Sequence, residues 1–133
     1  MADLTGITAV RPTSFTQIRL VMYGATIAAG QPVVLSGTSY LLADANASSA
    51  LAAAEGIAIT PGVSGGYGLI ATGGAIILVG TTMVVGTTYI VSDTAGGIMP
   101  DADRSTGDYV TRLGTASTTT QLDLSILATG VQV

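Results

Sequence analysis

Residues 56–92 read GIAITPGVSGGYGLIATGGAIILVGTTMVVGTTYIVS, 37 positions without an Asp, Glu, Lys or Arg. Such a run is either a membrane span or a set of buried strands, and glycine separates the two. Gly62, Gly68, Gly74, Gly80 and Gly86 recur every six residues, and Gly65, Gly66 and Gly73 add further breaks. Between them lie the short runs Ile57–Ile59, Ile76–Val79, Val84–Val85 and Tyr89–Val91. Apolar runs of about 4–6 residues bounded by Gly, Thr and Pro read as strands. A spanning helix would need roughly 20 predominantly apolar residues. The stretch is therefore expected to be the hydrophobic centre of a small all-β domain, a compact β-barrel or β-sandwich-like fold.

The six-residue spacing also invites a hexapeptide β-helix, which needs an aliphatic residue at one fixed place in every coil. The residues preceding the glycines are Pro61, Tyr67, Gly73, Val79 and Val85. Only two comply, and the β-helix is set aside.

Outward from this centre, composition narrows the function. A chain of 133 residues suits one domain and buries roughly two-thirds of its unfolded surface without staples. There is no Cys, His, Trp or Lys, and the four cations are Arg11, Arg19, Arg104 and Arg112. Nucleophilic triads and Cys–His pairs lack their imidazole, and zinc sites lack their ligands. With a net charge of −4 and 9% charged residues, the chain has little to offer a phosphate backbone. A mean hydropathy of +0.64 with so few charges makes a poor free colloid, and points to a chain that works inside an assembly. The N-terminus, MADLTGITAV, has neither the charged nor the apolar region of a secretory signal. No cofactor, nucleic-acid partner or membrane partner is expected.

Along the chain, residues 1–15 have no helical periodicity and read as an extended N-terminal arm, with a frayed terminus the competing reading. Residues 16–133 form the β domain. Thr16–Tyr23 alternates Ile18, Leu20, Met22 against Arg19, Val21, Tyr23, a first strand ended by Gly24. Val33–Leu35 and Tyr40–Leu42 flank a Ser36–Ser39 hairpin turn. Alanine-rich residues 45–54 hold at most a short helical turn, capped by Asp44 or Asn46, with a loop as the alternative. Thr118–Leu127 is the cleanest strand, with Leu122, Leu124 and Ile126 on one face and Asp123 and Ser125 on the other.

The chain also echoes itself. Gly86–Ser92 (GTTYIVS) repeats the grammar of Gly30–Ser36 (GQPVVLS) 56 residues later, and Gly114 stands 58 residues after Gly56 in a similar word. Two related β-units, about 24–60 and 80–117, are expected to wrap one core.

Two polar features remain. Asp101, Asp103 and Ser105 stand at positions 1, 3 and 5 of a calcium-loop spacing, but the glycine, Gly107, comes one place late and Arg112 occupies the place of the bidentate Glu. The motif is broken, and a turn with Asp-capped amides accounts for the same residues. Glu55, the sole glutamate, is expected to face solvent or to pair with an arginine. The five tyrosines are spread along the chain and read as strand-end core or interface residues.

The words ATIAAGQPVVLSG (25–37), YLLADA (40–45), AAEGIAIT (53–60), GLIATGGAIILVG (68–80), GTTYIVSDTAGGIMP (86–100) and STGDYVTRLGTAS (105–117) occur in an order that resembles the capsid cement, or head decoration, proteins of tailed bacteriophages. The resemblance implies a non-enzymatic virion protein, assembled in the host bacterial cytoplasm. It implies binding to the major capsid protein on the outer surface of the expanded head, often as homotrimers. It transfers no active-site residue. An N-terminal arm pairing with a sheet edge would bring Leu4, Ile7, Val10, Arg11 and Phe15 to the capsid. A tail-tube, fibre or spike component, or a receptor- or carbohydrate-binding β module, are the alternatives.

Overall fold

A computed structural model describes residues 3–133. Its strands are β1 (Ala9–Pro12), β2 (Gln17–Met22), β3 (Pro32–Ser36), β4 (Ser39–Leu42), β5 (Gly56–Ala58), β6 (Tyr67–Val79), β7 (Thr88–Val91), β8 (Ile98–Pro100), β9 (Tyr109–Ala116) and β10 (Gln121–Gln132). One short helix, α1 (Ser49–Ala52), and a 3-10 turn at Asp101–Asp103 complete the described elements. The chain is all-β: a curled antiparallel sheet forming a half-barrel, ordered β4-β3-β5-β6-β10-β9-β7-β8.

That order is a four-strand unit followed by its mirror in the list, and the pairing follows the 56- and 58-residue offsets of the sequence. Val33 of β3 faces Gly56 of β5, and Tyr89 of β7 faces Gly114 of β9. In the hairpins, Val33 faces Leu42 and Tyr89 faces Pro100. The Gly30 amide donates to the Ala58 carbonyl at 2.8 Å, and the Gly86 amide donates to that of Ala116, also at 2.8 Å.

The cores match in the same way. Ile27, Val33, Tyr40, Ala58 and Ile70 fill the first unit; their counterparts Met83, Tyr89, Ile98, Ala116 and Leu122 lie in the second. The aromatic ring sits on β4 in one unit and on β7 in the other, so Val33 with Tyr40 and Tyr89 with Ile98 fill similar volumes by different routes. Conserving volume is what a packed core requires. Each such side chain taken from water contributes about 1.5–3 kcal/mol. The second cluster also takes in Ile57, Ile59 and Ala71 of the first unit, which ties the two together.

β6 joins the units. Its first half pairs with β2 and β5, and its second half with β1 and β10. The change of partners falls at Gly73–Gly74, where Gly74 takes φ +79° and the register to β2 slips. A Cβ at Gly74 would overlap the Phe15 carbonyl, so only glycine permits this bend.

Several expectations are corrected. Gly68 and Gly74 lie within β6 and do not separate strands, because a Cβ on Gly68 would overlap the Tyr23 ring, which packs against it. Val84–Val85 is an exposed loop, equivalent to Ala28–Ala29 before Gly30, with the Val84 amide donating to the Tyr89 hydroxyl at 2.9 Å. The helix cap is Ser48, whose hydroxyl accepts from the Leu51 amide at 3.1 Å; Asp44 instead accepts from the Asn46 amide. The last strand starts at Gln121, because the Thr118 hydroxyl accepts from the Thr120 and Gln121 amides and holds a turn there.

Candidate functional site

The sequence has no imidazole, thiol or amine side chain, so its surfaces are described segment by segment. The N-terminal segment comes first. The Leu4 amide donates to the Ile98 carbonyl, and the Gly24 amide to that of Tyr40, both at 2.8 Å. Tyr40 and Ile98 are counterparts, so each unit is sealed at its outer hairpin strand, one by the chain after β2 and the other by the arm. Leu4 and Ile7 pack on the core, Val10 is buried, and β1 lies along β6. The segment read as an extended arm is docked on its own domain over its described residues; Met1 and Ala2 lie outside them. Docking satisfies an edge of β6 that would otherwise stay unpaired. Only Arg11 and Phe15 of the five arm residues are exposed, Phe15 at 77%. The turn carrying Phe15 is pinned by Thr13 and Thr16, whose hydroxyls donate to the Ala75 carbonyl at 2.8 and 2.6 Å.

The acidic loop is committed internally. Arg104 Nη1 lies 2.6 Å from Asp101 Oδ1, an exposed pair of small energetic weight. The Ser105 amide donates to Asp108 Oδ2 at 2.8 Å, while the Asp108 amide donates back to the Ser105 carbonyl. Asp101, Asp103 and Ser105 thus sit in a turn whose amide is capped by Asp108. No group of three or more His, Cys, Asp or Glu gathers to hold a metal among the described residues.

Glu55 is paired with Arg19, Nη1 to Oε1 at 3.3 Å. Arg19 also donates to the Tyr40 hydroxyl at 3.0 Å, which in turn donates to Glu55 at 3.3 Å. These contacts, the Tyr40 bond first, hold the Arg19 guanidinium above its already high ordinary pKa. The three groups bond one another through Glu55 Oε1.

The tyrosines divide. Tyr23, Tyr40 and Tyr89 are buried, whereas Tyr67 at the start of β6 is 70% exposed. Burial pushes the Tyr23 phenol above its usual range, and its hydroxyl donates to the Thr60 carbonyl at 2.8 Å.

Two surfaces rich in exposed apolar side chains remain. On β2, Ile18 and Leu20 point outward, Leu20 at 67% exposure, while Val21 and Tyr23 are buried. Leu20 faces Leu69 and Met22 faces Tyr67 across the strand pair, which lengthens the strip. Apolar residues on both faces of Thr16–Tyr23 hid this in the sequence, since alternation cannot say which face is inward. The second surface is the far end of β9–β10, with Leu127, Val131 and Val133 exposed. No helix among the described residues is long and apolar enough to cross a membrane. No model of a known protein family matches this chain, and no curated protein matches it in sequence.

Proposed function

We propose that this protein is a structural virion protein, a capsid cement protein that binds the outer surface of an expanded phage head and stabilises contacts between major capsid subunits. The observation that carries the reading is the exposure of Phe15, Leu20 and Tyr67 on a chain with 9% charged residues and no His, Cys or Lys. Large apolar groups left in water, with no reactive chemistry beside them, suit a protein that works by being covered. The resemblance of the order of sequence words to cement proteins suggests the identity of the cover. Copies act together, as homotrimers by the same resemblance.

The test is cosedimentation with expanded, empty heads of the encoding phage. The protein is expected in the pellet, and decorated heads are expected to survive heating that disrupts bare ones. Protein left in the supernatant beside intact expanded heads overturns the reading. Binding to tails in a few copies per particle would do so equally, in favour of a tail component.

A further inference from the structure

Two main-chain bonds of equal length close the two units, and the segments that carry them are held very differently. Gly24, which closes the first unit on Tyr40, follows the fully buried Tyr23. That segment is anchored on both sides of the bond. The Tyr23 amide donates to the Gly66 carbonyl, the Tyr23 carbonyl accepts from the Gly65 amide, and Ile27 and Gly62 each donate to the other's carbonyl. Leu4, which closes the second unit on Ile98, belongs to residues 3–7, none of which is buried. Among the described residues, the bond from Leu4 is the only main-chain bond these five make. They also border two open clefts, one of about 470 Å³ shared with Gly80, Tyr89 and Pro100, and one of about 210 Å³ shared with Ala29, Gln31 and Gly97. So little packing and so few backbone bonds place this stretch at the weakly held end of the fold.

One side chain pins it. The Ser92 hydroxyl, on a residue with no exposed surface, donates to Asp3 Oδ1 at 2.6 Å and accepts from the Thr94 amide at 3.0 Å. A hydroxyl has a single proton, so the bond to Asp3 fixes the orientation in which Ser92 also caps the turn after β7. Ser36, the counterpart of Ser92 in the first unit, is exposed, so the pin belongs to the second unit alone. At Thr8 the chain is held again: its amide and its hydroxyl both donate to the Val79 carbonyl, and β1 follows.

We propose that residues 3–7 form a strap latched by Asp3 and Ser92, which opens about Thr8 while β1 and the rest of the fold stay closed. Opening frees the Ile98 carbonyl on β8 and the buried Ser92 hydroxyl, and it loosens the turn between β7 and β8 that Ser92 caps. The edge of β8 is thus gated, and it is bare only when the latch is released. The device is a property of the chain by itself and does not depend on the cement reading.

The test is amide hydrogen exchange of the full chain, followed residue by residue by NMR and corrected for intrinsic rates. In the wild type the Leu4 amide is expected to exchange about 100-fold faster than the amides of Gly24 and Thr8, because a weakly held segment opens without global unfolding. Asp3→Ala and Ser92→Ala are each expected to speed Leu4 about tenfold further, the worth of one hydrogen bond to a carboxylate. Both should leave Gly24 unchanged, which also shows that the variants fold. Asp3→Ala is expected to speed the Thr94 amide as well. The double variant should exchange at Leu4 no faster than either single one, since both remove the same bond. Equal exchange of Leu4 and Gly24 in the wild type overturns the proposal, because the strap then opens only with the whole fold. A fast Leu4 that Ser92→Ala leaves unchanged also overturns it, because the end then frays without a latch.

Discussion

Gly56 and Gly114, 58 residues apart, press against the same obstacle. A Cβ on Gly56 would lie 2.7 Å from the Ala71 carbonyl oxygen, and one on Gly114 would overlap the Asp123 carbonyl oxygen. Ala71 and Asp123 are themselves counterparts on β6 and β10, as Ile57 faces Ala71 and Thr115 faces Asp123. The two units thus share a close backbone approach as well as an order of strands.

From this follows a first expectation. Gly114→Ala is expected to destabilise by about 2–3 kcal/mol, the upper range for overpacking, because the obstructing atom is backbone and has little freedom to yield. Gly56→Ala is expected to cost less, since its approach is longer. Urea denaturation measures both; equal stability of all three proteins would refute the shared steric role.

The matched cores give a second. Ile70→Ala and Leu122→Ala each empty a fully buried counterpart position and are expected to cost about 2–5 kcal/mol apiece. A large loss at one site with none at the other would show that the second unit does not rely on the core arrangement of the first.

Alkaline titration provides a third. Burial raises the folded pKa of Tyr23 above its ordinary value of 10.0, so the unfolded chain releases this proton first as pH rises. The stabilisation is full below pH 10 and is lost as pH climbs through the folded value. Tyr23→Phe is expected to be less stable than wild type at neutral pH by about 1 kcal/mol, for the lost bond to Thr60. The gap should narrow above pH 10, where only the wild type carries this proton linkage. A gap that stays constant across that range would contradict it.

The helix cap offers a fourth. Ser48→Ala is expected to cost about 1 kcal/mol, the usual effect of losing a capping hydroxyl. Asn46→Ala, whose side chain caps nothing in α1, is expected to change stability by less than about 0.5 kcal/mol. Thermal melting of the two variants distinguishes them, and a reversed order would return the cap to Asn46.

The β class, the short apolar words and the internal echo were all determined by the sequence, because each depends on residue type and local spacing. Glycine and threonine bound most of the short apolar runs, and their spacing is written in the chain itself. The tertiary structure alone decided where those words go. Gly68 and Gly74 look like breaks, yet one admits the Tyr23 ring and the other bends a single long strand between two sets of partners. Ile18, Leu20 and Met22 make the more apolar face of β2 in sequence, yet the packing of Val21 and Tyr23 into the core sends Ile18 and Leu20 outward. The arm is docked because Ile98, nearly a hundred residues away, presents a carbonyl that needs a donor. Such long-range pairing follows from the unsatisfied edges of the assembled sheet, and no local pattern records an edge.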